Sequence, residues 1–375
     1  MALINQVITD RYALYNGDCV EVVSGLPSNS VGMVVYSPPF CGLYNYSSDD
    51  RDMSNNATYD QFYAHYEFLV RQLARVTKPG RINAVHCMDI PQPGQKDGYH
   101  DLPGRLIALH EKHGFRFNGR VCIWKEPLAV AIRTRLKHLQ HKALVKDSSG
   151  ATIAAADYLL IFQRAGENEV PITHEGGGIK EYYGAEQIPE ELWQYRDEPE
   201  QSKNRFSHWI WRRYASSVWM DIRTANAVPC GDGRTCKAVL SYKEARDPED
   251  EKHVHPLQLD VIHRAVQLWS NPGETVLTPF MGVGSEVYGP VYQGRRGIGV
   301  ELKKSYFRQA VRNLAEVDTD RNADMVGGLF QNMRAPEPET STPLAEYRAL
   351  VEQGPAVVMA SKDDFLALLD KASAA

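Results

Sequence analysis

No stretch of this 375-residue chain approaches 18 uninterrupted apolar residues, so no membrane span is expected. Cysteine is sparse: six residues, at 19, 41, 87, 122, 230 and 236, too scattered for a disulfide framework. Residues 1–10 carry neither a basic end nor an apolar run, and with the scattered thiols this leads to the expectation of a reduced, cytoplasmic protein. A net basic charge is also missing, since 42 Lys and Arg face 47 Asp and Glu. That argues against a polycation that holds nucleic acid by bulk charge alone. Equally absent is the apolar-poor composition of a disordered chain, because 43% of residues are apolar and 24% charged. A chain of this length buries a full core without disulfide or metal staples, as one large domain or two ordinary ones. Cys230 and Cys236, followed by His253 and His255, are zinc-ligand residue types. Five residues separate the two cysteines, outside the two to four of a compact knuckle, and no metal is expected.

What is present is an alternation of strand and helix signals. Residues 12–23 read as a short strand, a turn at Asn16-Gly17 and a helix start capped by Asp18. A buried strand at 31–36 is broken by Ser37-Pro38-Pro39-Phe40. A helical stripe at Phe62, Tyr66, Leu69, Val70, Leu73 and Val76 is followed by a strand at 81–87. A helix at 103–113 and strands at 117–124 and 157–163 complete the first half. Residues 166–200, with Gly176-Gly177-Gly178 and an acidic stretch, read as a loop or small insertion. The pattern resumes with a helix at 256–270, a strand at 274–277, a helix from Ser285, a strand at 297–300 and a helix at 303–315. This predicts an open α/β sheet with helices on both faces. Beyond residue 330 comes a Pro- and Glu-rich linker with short amphipathic segments at 344–353 and 361–373.

The turn Thr278-Pro279-Phe280-Met281-Gly282-Val283-Gly284-Ser285 joins a strand to a helix. Its glycines permit a close backbone approach to a ligand, and the helix start offers unpaired N–H groups. Glu301 follows the next strand, where a carboxylate accepts hydrogen bonds from two ribose hydroxyls. No lysine follows the second glycine, so this is not a triphosphate-binding loop. The plainer readings are a tight turn and a solvated strand-end carboxylate. At the Ser37-Pro38-Pro39-Phe40 break, neither proline donates to a sheet. Ser37 and the Pro38 carbonyl are then placed to accept from an exocyclic amino group, and Phe40 to stack on its ring. The alternative there is a sheet-edge turn with a buried Phe.

In these residues the chain resembles the S-adenosylmethionine-dependent DNA amino-methyltransferases, in the group whose catalytic motif precedes the cofactor motif. Ser37-Pro38-Pro39-Phe40 matches the family tetrapeptide Asp/Asn/Ser-Pro-Pro-Tyr/Phe, and Asn16-Gly17-Asp18-Cys19 its Gly-Asp-Cys segment. His255-Pro256-Leu257-Gln258 is similar to its His-Pro-Thr-Gln-Lys-Pro helix start, and residues 271–277 to its Pro-Gly-Asp-x-Val-Leu strand entry. Pro279-Phe280-x-Gly282-x-Gly284-Ser285 matches the Asp-Pro-Phe-x-Gly-x-Gly-Thr loop, and Gly299-x-Glu301 the ribose-binding acid. Trp219-Met220-Asp221-Ile222 is a weaker echo of a Val-Trp-x-Ile segment. These matches keep family order across residues 12–315. The chain departs at Thr278, where the family has Asp, and at Leu257, Leu259 and Asp260, where it has Thr and Lys-Pro.

The resemblance implies a Rossmann-like S-adenosylmethionine-dependent methyltransferase sheet with helices on both faces, plus an inserted target-recognition region. Its catalytic residues would be Ser37, Pro38, Pro39 and Phe40. Its cofactor residues would be Asp18, Cys19, Tyr36, His255, Gln258, Thr278, Pro279, Phe280, Gly282, Gly284, Ser285, Glu301 and Leu302. It implies methyl transfer from S-adenosylmethionine to the amino group of a flipped base in double-stranded DNA, without metal. Ser at the first tetrapeptide position favours cytosine N4 over adenine N6. Cys41 lacks the preceding Pro-Cys arrangement of a cytosine-C5 enzyme.

Charge is segregated along the chain. Residues 316–375 hold eleven acids and five bases, which leaves the rest at a net +1. Residues 120–164 hold eight bases against three acids, and residues 203–223 five against one, interleaved with aromatics. Arg133, Arg135, Lys137, Lys203, Arg205, Arg212, Arg213 and Arg223 are therefore candidate DNA contacts, beside the plainer reading of a solvated basic helix with core tryptophans. The expected division is a catalytic half at 1–124, a last strand with inserted target recognition at 125–250, a cofactor half at 251–330 and a linker with helical tail at 331–375. A homodimer through that tail is one reading, packing on its own sheet the other. An RNA or protein-glutamine methyltransferase and a non-catalytic DNA-binding subunit stand as alternatives. Motif order argues against the first pair, and Thr278 is the one feature favouring the second. A bacterial or phage-encoded protein is the expected source.

Overall fold

The computed structural model describes residues 3–40, 49, 51–92, 98–134, 138–245 and 256–327. The chain opens with β1 (Asn5–Ile8) and β2 (Tyr12–Asn16), an antiparallel pair. Asp18 caps α1 (Cys19–Ser24) by accepting from the backbone N–H of Glu21, and β3 (Val31–Tyr36) follows, buried along its length. In α2 (Tyr59–Val76) the buried residues are Phe62, Tyr66, Leu69, Val70, Leu73 and Val76, the stripe expected from spacing. The chain turns directly into β4 (Thr77–Met88). A hairpin of β5 (Ile90–Gln92) and β6 (Gly98–His100) stands apart from the main sheet.

α3 (Leu102–Lys112) and β7 (Phe115–Ile123) lead to two short helices, α4 (Pro127–Thr134) and α5 (His141–Lys146), then to β8 (Asp157–Arg164). The long segment after β8 carries α6 (Arg205–Tyr214) and the two-residue β9 (Val218–Trp219). The last part is α7 (Leu259–Trp269), β10 (Thr275–Thr278), α8 (Ser285–Tyr292), β11 (Arg296–Glu301), α9 (Lys304–Ala315) and α10 (Val317–Gly327).

Across the main sheet the order is β1-β2-β11-β10-β3-β4-β8-β7-β9. Neighbours from β2 to β4 run parallel, while β8 lies antiparallel to both β4 and β7. The C-terminal ends of β2, β11, β10, β3 and β4 therefore share one rim, the side on which open α/β sheets bind ligands. One face of the sheet packs on α7, α8 and α9 through Val261, Val287 and Phe307; the other packs on α1, α2 and α3 through Val22, Leu69 and Leu106. The expected α/β sheet with both faces covered is the observed one. β1, β9 and the β5–β6 hairpin were not expected, being too short to show an alternation. Residues 331–375, with their proposed dimer segments, lie outside the described residues.

Arg223 is a correction. Its basic neighbourhood in sequence suggests a DNA-facing surface, yet its side chain and that of Asp260 on α7 are both 0% exposed. Its guanidinium donates to both Asp260 oxygens at 2.5–3.2 Å, and its Nη1 to the Cys236 carbonyl at 3.0 Å. Burial disfavours the charge, but the Asp260 hydrogen bonds and charge outweigh it and hold Arg223 protonated. Arg223→Ala would leave a buried unpaired carboxylate, so we expect a loss of about 3–5 kcal/mol in equilibrium unfolding. An unchanged midpoint would refute the structural role.

Candidate active site

A single cleft at the C-terminal rim brings together residues from both halves of the chain. Ser37, Pro38, Pro39 and Phe40 line it from the end of β3, and Asp18 and Cys19 from the end of β2. Gln258, Pro279, Phe280, Gly282, Ser285, Glu301 and Leu302 line it from the C-terminal part of the chain. Two motifs about 240 positions apart in sequence meet because β3 and β10 are parallel neighbours, with Val276 opposite Met33.

The glycine-rich loop is shaped by its surroundings. Gly284 caps α8 with φ +98°, and a Cβ there would stand 2.9 Å from Leu314 Cδ2 and 3.1 Å from Ala310 Cβ. Its constraint is therefore close packing on α9, a correction to a ligand-facing role; Gly284 is buried and does not line the cleft. Gly282 is different: φ is +52° and a Cβ would meet nothing within 4 Å, so open space lies beside it. Asn313 Nδ2 donates to the Val283 carbonyl at 2.8 Å and pins the loop. Ser285 Oγ lines the cleft, buried and without a hydrogen-bond partner.

Glu301 closes the loop from the other side. Its carboxylate accepts from Gly282 N at 3.0 Å and Lys303 N at 2.7 Å. Burial nonetheless pushes its carboxyl up to about 8. Beside it on the cleft wall is Glu286, from the first turn of α8, also raised to about 8 by burial. Glu286 was not anticipated, because a glutamate one position past the loop has no motif to mark it. Two walled-in carboxylates, an orphaned hydroxyl and an open glycine fit a ligand that brings hydroxyl donors and a positive charge.

Two further expected cofactor residues, besides Gly284, sit outside the cleft. Tyr36 is 0% exposed, with its OH 2.5 Å from that of Tyr66, under the sheet and away from the cleft. Its ring lies 5.9 Å from that of Phe280, so it supports a lining residue. Thr278 is likewise fully buried and outside the cleft, its hydroxyl unpartnered. His255 lies outside the described residues, as do Arg135, Lys137 and the side chain of Arg133.

The wall that carries Ser37 contains a chain that the motifs did not reveal. Ser37 Oγ is 3.2 Å from His86 Nδ1, and His86 Nε2 is 3.1 Å from Asp157 Oδ2. Lys125 Nζ stands 2.8 Å from the same oxygen. Lys125 belongs in sequence to the basic stretch 120–164, but its side chain is 11% exposed and turned into the cleft. Burial opposes the Asp157 charge, but Lys125 and the His86 hydrogen bond hold the carboxyl well below the usual range. Antiparallel pairing sets the chain up, with Asp157 at the start of β8 opposite Met88 at the end of β4.

Of the remaining candidate DNA contacts, Arg205 and Arg212 lie on the outward face of α6 beside Trp211, which is 55% exposed. The helix buries Phe206, Ser207, Ile210 and Tyr214 on its inner face. Lys203 is exposed and pairs with Glu200, and Arg213 pairs with Glu186 while stacking on Trp209. Cys230 and Cys236 are buried side by side in a loop, and His253 and His255 lie outside the described residues. Among the described residues no helix is long and apolar enough to cross a membrane.

The family profile described as DNA methylase matches residues 31–312. The type II methyltransferase M.BglII of Bacillus subtilis is 20% identical over 312 residues, covering 82% of this chain and 71% of its own length. M.BamHI of Bacillus amyloliquefaciens is 22% identical over 327 residues, 86% of this chain; the chain spans only 61% of that relative. The putative DNA modification methylase TTHA0409 of Thermus thermophilus shares the fold with a TM-score of 0.51 and 19% identity, over 82% of this chain and 94% of that one. That protein has also been solved complexed with S-adenosyl-L-methionine.

Proposed function

Since this chain belongs to the DNA methylase family, we propose that it moves a methyl group from S-adenosylmethionine to the exocyclic amino group of a base turned out of duplex DNA, with cytosine N4 the favoured target. The observation that carries this reading is one cleft with two walls, the tetrapeptide 37–40 on one and the loop 279–285 with Glu301 on the other. The cofactor supplies an activated methyl on a sulfonium. Glu301 would hold its ribose hydroxyls, Asp18 and Phe280 its adenine, and Glu286 its methionine ammonium. Glu286 thereby takes over the charge that Thr278 does not provide.

The amino lone pair of cytosine or adenine is delocalised into the ring. Ser37 Oγ and the Pro38 carbonyl, accepting its two N–H bonds, turn that nitrogen towards tetrahedral geometry and aim the lone pair across the cleft. Phe40 stacks on the extruded ring, which cannot reach the cleft while paired in a duplex. Arg205, Arg212 and Lys203 on and before α6 are the proposed phosphate contacts within the inserted region.

The test is chemical. DNA methylated by the full chain is digested to nucleosides and weighed by mass spectrometry, and N4-methylcytosine is the expected product. N6-methyladenine would move the assignment to adenine, and 5-methylcytosine or no product would refute it.

A further inference from the structure

We propose that His86, acting through Ser37 and held by Asp157 and Lys125, accepts the proton that the target amino group must lose. This rests on the methyl-transfer reading above and adds to it the fate of that proton. A neutral amine that gains a methyl becomes cationic unless a proton leaves. A serine hydroxyl accepts a hydrogen bond but is far too weak a base to keep that proton. The geometry supplies a sink one bond further on, because His86 Nδ1 lies 3.2 Å from Ser37 Oγ.

The order of partners settles which way the ring works. Asp157 is ionised and its Oδ2 sits 3.1 Å from His86 Nε2, so the Nε2 proton is donated there and Nδ1 is left as an acceptor. Lys125, 2.8 Å from the same oxygen, keeps that carboxylate charged in a buried place. His86 itself is 7% exposed and lines the cleft. Lys125 is placed by backbone pairing, since Trp124 N donates to the Trp219 carbonyl at 3.0 Å. That contact gives the two-residue β9 a purpose at the site.

In the step, the amino nitrogen bonds to the methyl carbon as the carbon–sulfur bond breaks and its electron pair goes to sulfur, leaving a neutral thioether. The nitrogen keeps the electrons of one N–H bond while that proton passes to Ser37 Oγ. The serine's own proton moves to His86 Nδ1. The imidazolium formed faces the Asp157 carboxylate and gives its proton to water after product leaves. Among the described residues, the charged groups on this side of His86 are Asp157 from β8, bonded to its Nε2, and Lys125 beyond β7, paired with Asp157. The adjacent Cys87 belongs to the opposite face of the sheet, and Asp260 on α7 is spent on Arg223.

The experiment measures single-turnover methyl transfer from tritiated S-adenosylmethionine to genomic DNA of a methylation-free strain. It compares the full chain, His86→Gln, His86→Ala and Asp157→Asn over roughly pH 5.5–8.5 with S-adenosylmethionine saturating at every pH, and with cofactor affinity measured by calorimetry alongside. For the full chain the rate climbs with pH to a plateau, since protonating His86 removes the acceptor. In His86→Gln the rate falls about a hundredfold, the climb disappears and cofactor affinity holds within about twofold. Added imidazole restores part of the rate in His86→Ala. Should His86→Gln not fold, Asp157→Asn reads the same chain through a lowered plateau. A His86→Gln rate within twofold of the full chain, or a lowered rate with the pH climb intact, overturns the relay. A full chain that labels no DNA at any pH overturns the methyl-transfer reading first, so the two failures are told apart.

Discussion

Ser37→Ala is expected to lower turnover by about a hundredfold to a thousandfold while leaving S-adenosylmethionine affinity within about twofold. That is the scale on which loss of one preorganised hydrogen-bond partner acts at a reacting atom. The separation of the two effects follows from position. Ser37 lies at the end of β3, and the residue before it is anchored independently, Tyr36 OH to Tyr66 OH at 2.5 Å. The groups assigned to the cofactor come from β2, β10, β11 and α8, across the cleft. Removing one hydroxyl oxygen disturbs none of these. Rapid-quench turnover together with calorimetric affinity checks it, and an equal loss of both would show that Ser37 belongs to the cofactor side.

Cofactor affinity should rise steeply with pH between about 6 and 7.5, by up to about tenfold per pH unit for each carboxylate that must ionise. Glu286 and Glu301 are both raised to about 8 by burial, so each carries a proton at neutral pH while the cleft is empty. A ligand that brings an ammonium and hydroxyl donors favours the ionised forms, and binding then releases protons. The sign for stability is the reverse. A carboxyl whose folded-state value exceeds its unfolded one stabilises the fold at low pH and loses that contribution as pH rises towards 8. The empty protein should therefore lose stability across that window, and the cofactor should recover it. Calorimetry in two buffers of different ionisation enthalpy measures the released protons directly, and Glu286→Gln should abolish its share. No proton release and a flat affinity profile would remove Glu286 from the site.

The parts of this site legible in the sequence are those whose geometry is local. Two prolines after a buried strand enforce a break wherever they occur, and a glycine with positive φ at the head of a helix shows in its own few residues. Glu301 was found because a strand-end carboxylate keeps a regular distance from such a loop. His86, Asp157 and Lys125 left no such trace. They meet only because β8 runs antiparallel to β4 and β7, continued by Trp124, pairs with β9, and register between distant strands is not written in either strand alone. Arg223 misled for the same reason. Its five-in-six basic neighbourhood looked like a surface, while the carboxylate that buries it lies 37 positions away. Tyr36 and Thr278 misled differently: adjacent to lining residues in sequence, they are fully buried and do not reach the cleft.

The position of β10 and β11 has a consequence for synthesis. In the finished sheet they separate β2 from β3, yet they are translated some 240 residues later. Until they emerge from the ribosome, β2 and β3 each present an unpaired edge towards a gap two strands wide. Buried apolar edges of that kind invite pairing with other chains, and closing the gap requires contacts of very long sequence separation, which form slowly. A nascent chain arrested anywhere before residue 275 lacks the middle of its sheet. The halves proposed to hold methyl donor and target base are thus also the halves that must meet for the protein to become a single folded body.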